Sequence, residues 1–225
     1  MKLFPKTLCF LILLLPVAAV VNGQTLFSLS SDFNLQRSLK KGQEYWAVGQ
    51  TVTLHYNFTP QDAAYVWVAY FSNGKFRNKG LLAEVREPGT IPVAIRYDNH
   101  AEMRFKHISM GWKHYFTGSA VSEKAVGVYS LAGLGILLGL VSNSPSVKID
   151  TALYRLPVLT GSKNFKRLTI DLGLGTEVPL GADLYVYGEI KAILPITDYP
   201  SPYIVDNRYT PYTAMAAVGF RILFN

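Results

Sequence analysis

Along several stretches of this sequence, apolar side chains alternate with small or polar ones, and that period of two limits the fold more than any other feature. From Trp46 the even positions read Trp46, Val48, Gln50, Val52, Leu54, Tyr56 and Phe58, and the odd ones Ala47, Gly49, Thr51, Thr53, His55 and Asn57. Successive side chains on a strand point to opposite faces, so one face is greasy and the other small or polar. The pattern opens with Phe27, Leu29, Phe33 and Leu35 against Ser28, Ser30, Asp32, Asn34 and Gln36. It returns with Leu168, Ile170, Leu172, Leu174, Val178 and Leu180 against Thr169, Asp171, Gly173, Gly175 and Glu177. Leu184, Val186, Ile190, Ala192 and Leu194 stand against Asp183, Tyr185, Tyr187, Glu189 and Lys191. The last such stretch sets Tyr212, Ala214, Ala216, Val218, Phe220, Ile222 and Phe224 against Thr213, Gly219 and Arg221.

Three further stretches are noisier. Residues 63–72 are apolar on both faces, and 106–116 set Ile108, Met110, Trp112 and Phe116 against Ser109, Gly111, Lys113 and Tyr115. Residues 125–141 carry no charge, so a short membrane helix competes with a strand there. Gly127, Gly133, Gly135 and Gly139 all fall on odd positions; each would cost a helix roughly 1 kcal/mol, whereas a strand gathers them on one face. The reading is eight strands. Links after the second, fourth and sixth are short (59–62, 117–124, 181–182), and those after the others are long (37–45, 73–105, 142–166, 196–211). All long loops therefore share one end, and Gly181 suits a tight hairpin turn needing positive φ. A ten-stranded count follows if 73–105, where Ile91, Val93, Ile95 and Tyr97 alternate, adds wall of its own.

What precedes the first strand reads as an export leader. Lys2 and Lys6 precede an uncharged apolar run, 7–21, and Val21-Asn22-Gly23 offers cleavage before Gln24. An uncleaved anchor is the alternative. The expected organisation is a signal peptide over 1–23 and one barrel domain over 24–225. Cys9, the sole cysteine, leaves with the leader, which excludes a disulfide framework and a cysteine metal site. With 49% apolar and 16% charged residues the chain is no disordered tail. Lys and Arg outnumber Asp and Glu by 22 to 15. In an exported chain with scattered positives, that excess points to anionic lipid or lipopolysaccharide rather than nucleic acid.

A soluble sandwich also alternates, but it seldom puts every long loop at one end. Export, amphipathic strands and alternating short and long links fit a closed transmembrane barrel, the sheet that leaves no backbone group unpaired in lipid. Trp46, Tyr56, Phe58, Tyr212 and Phe224 suit its interfacial girdles. The ending, with Gly219, Ile222 and Phe224, resembles the assembly signal of Gram-negative outer-membrane barrels, although Ala217 stands where a polar residue is usual and Asn225 follows the aromatic. Residues 165–177 (FKRLTIDLGLGTE) and the ending RILFN are similar to the small outer-membrane barrel family abundant in Bacteroidota. That resemblance implies a fold, a location and the barrel-assembly machinery as a partner, and no shared activity.

Candidate chemistry is sparse. His107 and Ser109 share a face, as a base and a nucleophile would. They resemble the His-x-Ser pair of outer-membrane lipid A deacylases, but Met110 replaces the Asn usual after that Ser, and Glu123 falls in a turn at the opposite end. Lys113, Asp171, Glu177, Glu189, Lys191 and Arg221 all carry inward parity. A charge facing lipid at the midplane costs roughly 2–4 kcal/mol, so these six predict a polar cluster inside the barrel; paired carboxylates could alternatively serve acid–base work. His55, His100, His107 and His114 are too scattered for a metal site, and Gly133-x-Gly135-x-x-x-Gly139 has the wrong spacing for a dinucleotide loop. No cofactor is expected. The whole predicts an all-β, eight-stranded antiparallel transmembrane β-barrel with a structural or surface-recognition role. Its loops present Phe76, Arg77 and Lys79; Arg96, Tyr97 and Asp98; and Tyr199, Tyr203 and Tyr209 to an external ligand. A narrow channel and a deacylase-like hydrolase are the rivals.

Overall fold

The computed structural model describes residues 27–181, 183–197, 202–204 and 212–224. The expected leader and its cleavage site, Ala182, Tyr199, Tyr209 and Asn225 lie outside them. Nine strands are described: β1 (Phe27–Ser38), β2 (Trp46–Asn57), β3 (Asp62–Val85), β4 (Ala94–Thr117), β5 (Gly127–Pro145), β6 (Tyr154–Arg155), β7 (Gly161–Gly181), β8 (Leu184–Pro195) and β9 (Thr213–Phe224). Every pairing is antiparallel. β1 pairs with both β2 and β9, and β2 with β3, so eight strands close into a ring. The two-residue β6 adds to the top of β3 through Glu84↔Arg155 and Val85↔Tyr154. The uncharged stretch at 125–141 is thus strand, and no described helix is long and apolar enough to cross a membrane.

The alternation sorts as read. Phe33 (77% exposed), Ile190 (69%) and Val218 (65%) look outward from mid-strand, while Asp32, Thr51, Lys191 and Arg221 are buried inside. Such an apolar exterior on a closed sheet is made for hydrocarbon. The odd-position glycines of β5 face the lumen, where Gly139 leaves room for the Phe165 ring. A methyl on Gly135 would lie 2.7 Å from Thr169 Oγ1 and 2.8 Å from Asp171 Oδ2. An aromatic girdle rims the short-turn end: Phe27 against Tyr56 (5.1 Å between centroids), Tyr56 against Phe58 (4.8 Å), Phe58 stacked on Trp112 (5.0 Å). The Trp112 indole N–H donates to Asp62 (2.9 Å), which gives the girdle its polar anchor. Trp46 and Tyr212 mark the opposite rim. The β7–β8 hairpin turns tightly, with positive φ at both Gly181 (101°) and Asp183 (62°).

Two expectations need correction. Residues 73–105 are not a loop: β3 and β4 each run 24 residues as one hairpin, leaving only 86–93 between them. Likewise β5 continues to Pro145 and β7 begins at Gly161. Phe76, Arg77, Lys79, Arg96, Tyr97 and Asp98 therefore sit on strands. The ring stays at eight, because the extension lengthens existing strands instead of adding new ones. Register breaks at Phe71/Gly74 and Asn78/Leu81 explain the difference. Each bulge shifts β3 by one residue, so the inward set passes from Phe71 to Gly74, Phe76 and Asn78, then to Ala83, and a fixed period of two is lost.

About 9–11 tilted residues span a bilayer, so the 12-residue strands β1, β2, β8 and β9 barely exceed it. The surplus of β3 and β4 rises beyond it as a one-sided wall. That wall has its own small core of Ala83, Tyr97, Tyr154 and Leu156, packed with Leu81, Val85, Ile95 and Ile149.

Candidate functional site

An eight-stranded ring is just wide enough for side chains to fill, and here they do so in layers. Lowest, by the short turns, Glu177 on β7 takes Lys113 of β4 (Nζ–Oε2 3.1 Å) and a two-pronged Arg221 of β9 (Nη2–Oε1 2.6 Å, Nε–Oε2 3.2 Å). The Tyr115 hydroxyl donates to the same carboxylate (2.8 Å), and Arg221 also donates to the Ala120 carbonyl (3.0 Å), closing the floor. The Lys113 ammonium lies 3.6 Å from the Tyr129 ring centroid, a desolvated cation–π contact. One layer up, Glu189 pairs with Lys191 and accepts the Tyr129 hydroxyl (2.8 Å), while Lys191 lies over Trp67 (4.3 Å). Beside it Tyr187 donates to Asp32 (2.8 Å), and Asn34 bridges Asp32 and Thr51 (2.8 and 2.6 Å).

The six expected interior residues are all buried, in three sets rather than one. Lys113, Glu177 and Arg221 form the first, and Glu189 with Lys191 the second. Asp171 lies 3.5 Å from His107 Nε2 and lines one small cavity with Glu189 and Lys191. Asp32, Tyr115, Tyr129 and Tyr187 complete these sets, and the signal that could have added them is the same inward parity. Of the assembly-signal residues, Gly219 faces inward where β9 meets β1, where a Cβ would lie 2.6 Å from that of Asp32 and so has no room; Ile222 and Phe224 face outward, paired with Leu29 and Phe27.

The deacylase-like pair fails geometrically. His107 Nε2 is hydrogen-bonded to Thr169 Oγ1 (2.9 Å) and Ser109 donates to the Leu134 carbonyl (3.2 Å), both fully inside the lumen. Two interior cavities lined by described residues hold about 10 and 20 Å³, room for a water molecule at most and none for an acyl chain. Glu123 is exposed in the β4–β5 turn, far from both. No cluster of metal-ligating side chains occurs among the described residues.

The upper lumen is apolar. Tyr45, Phe76 and Phe105 stack (6.1 and 5.8 Å), and Phe105 meets Phe165 edge-on (6.0 Å). Above them Asn78, Asn99 and Asn143 form a row across β3, β4 and β5, with Asn99 donating to Asn78 (3.4 Å) and Asn143 (3.2 Å). Asn78 donates to the Gly42 carbonyl (2.6 Å), and Asn143 to those of Leu159 (3.1 Å) and Tyr203 (2.6 Å). Gly42, Leu159 and Tyr203, each from a different connection, are thereby held over the mouth, and Ile204 is buried beneath it. Tyr203, expected as a surface residue, packs against this core.

No family model matches the chain, and no curated protein matches it either. Among solved structures, Neisserial surface protein A is similar at TM-score 0.57 and 9% identity, over 88% of this chain and 97% of that one. A major outer membrane protein from Thermus thermophilus is similar at TM-score 0.52 and 11% identity, over 88% and 99%. The fold is that of a bacterial outer-membrane β-barrel. The closed wall and apolar outer band of the chain itself suit that membrane, and the barrel resides there.

Proposed function

We propose that this protein is a non-enzymatic outer-membrane barrel with a structural or surface-recognition role, whose tall wall and long connections stand outside the cell. Residues 1–23 act as a cleaved leader and 24–225 as the barrel. The short turns and both ends of the described barrel face the periplasm, where Gly219, Ile222 and Phe224 serve as the signal read by the assembly machinery. The 165–177 stretch and the RILFN ending support a place among the small barrels of Bacteroidota. The observation that carries the reading is the lumen, packed by Trp67, Tyr129, Phe71 and Arg221 and roofed by the asparagine row. A barrel so filled offers its outer surfaces to partners, not a passage.

In planar bilayers the full barrel should give no stepwise conductance; steady openings would overturn the reading in favour of a channel. Lipid A acylation should be unchanged by the purified protein, and a loss of acyl chains would restore the hydrolase. Orientation is read by Glu87→Cys in the β3–β4 connection and Glu123→Cys in a short turn. On intact cells a membrane-impermeant maleimide should label the first and not the second, and the reverse would invert the barrel.

A further inference from the structure

Just beyond the apolar band, the outer surface of the tall wall is hollow and basic. Two adjoining hollows of about 470 and 570 Å³ run along β4 and β5. Tyr70, Arg104, Lys106, Leu138, Leu140 and Lys166 line the lower one, and Lys75, Arg77, Glu102 and Ser142 are in the upper. Together they hold five cations, Lys75, Arg77, Arg104, Lys106 and Lys166, against the one carboxylate of Glu102, which Arg104 engages at 2.9 Å. Leu138 pairs with Lys106 on one side and Lys166 on the other, so two ammonium-bearing residues flank a leucine roughly 10 Å apart. Below them Leu134, Ile136 and Ile108 carry the uncharged band. The short side of the barrel has nothing comparable among its described residues: its outward Arg37 is held by Glu44 (3.2 Å) and the Trp46 ring (5.1 Å).

An excess of positive charge set where hydrocarbon ends, in a hollow with a leucine floor, suits an amphiphile with an anionic head better than a freely soluble anion. We propose that this hollow docks a phosphorylated glycolipid of the outer leaflet. Arg104, Lys106 and Lys166 hold its phosphate, its acyl chain lies along Leu138 and Ile136, and its sugar reaches Lys75, Arg77 and Ser142. The assignment of leaflet rests on the orientation proposed above.

The test uses the full barrel refolded in zwitterionic detergent, titrated with lipid A carrying its phosphates and with the same lipid A dephosphorylated. The phosphorylated form should bind at least tenfold more tightly, and added salt should erode that preference. R104A/K106A/K166A should lose tenfold or more toward the phosphorylated form alone, while Arg37→Ala should not. Heat-dependent gel mobility shows that the variant is folded; should it not fold, Lys166→Ala alone should lose severalfold. Equal binding of the two lipids, wild-type binding by the folded variant, or equal competition from a sulfated oligosaccharide without acyl chains each overturns the proposal. The cysteine labelling reads orientation separately, so outward labelling with no phosphate preference sinks the docking site alone.

Discussion

The two halves of β4 make opposite use of the same alternation. Below Lys106 its outward residues are Ile108, Met110 and Trp112, and its inward ones His107, Ser109 and Lys113. Above Phe105 the outward set is His100, Glu102 and Arg104, and the inward set Tyr97, Ala101 and Met103. The β4 strand runs on unbroken through that point, although β3 bulges against it there. What changes is the surroundings: hydrocarbon favours a greasy exterior and tolerates a paired polar lumen, whereas water reverses both preferences. The lower half is therefore held by ion pairs and the upper by aromatic packing.

That contrast can be broken at several points. The largest effect should come from Glu177→Gln, which leaves Lys113 and Arg221 facing each other in the lower lumen. Breaking such a buried pair costs about 3–5 kcal/mol, read as a lowered midpoint of denaturant unfolding in detergent. Wild-type stability would mean that the lower layer is well hydrated and the contrast overstated. Next comes Leu134→Arg on the outward face of β5, where a midplane cation costs roughly 2–4 kcal/mol. A smaller loss, about 1 kcal/mol, is expected when 82–96, above the asparagine row, are replaced by an Asn-Gly turn; the shortened barrel should keep its heat-dependent mobility, since 12-residue strands already close the other side. Smallest of all, Leu82→Arg, on the outward face of the same hairpin, should shift stability by less than about 0.5 kcal/mol. Equal penalties at Leu134 and Leu82 would place the whole wall in lipid.

The lower half was legible because most strands there obey one rule, odd or even, greasy means out; β3, which also turns Tyr65, Trp67 and Phe71 inward, is the exception. Lys113, Asp171, Glu177, Glu189, Lys191 and Arg221 were found inside by parity alone. Parity could not say which would meet, because that depends on height along tilted strands, and the fold splits the six into three sets. The upper half misled for two physical reasons: the inside became the apolar side, and the bulges after Phe71 and Asn78 moved β3 off its parity twice. Asn78, Asn99 and Asn143 looked like loop residues, being far apart in sequence and joined only by strand registers that no short window contains. His107 and Ser109, whose spacing also fits chemistry, sit in the lumen against Thr169 and the Leu134 carbonyl.

The roof of amides has a consequence of its own. A carboxylamide neither gains nor loses a proton over the range in which bacteria live, and its contacts with carbonyls are little weakened by dissolved ions. A cell surface rinsed by changing media would thus keep this barrel shut, and opening it would take a force or a ligand strong enough to pull the strands of its crown apart.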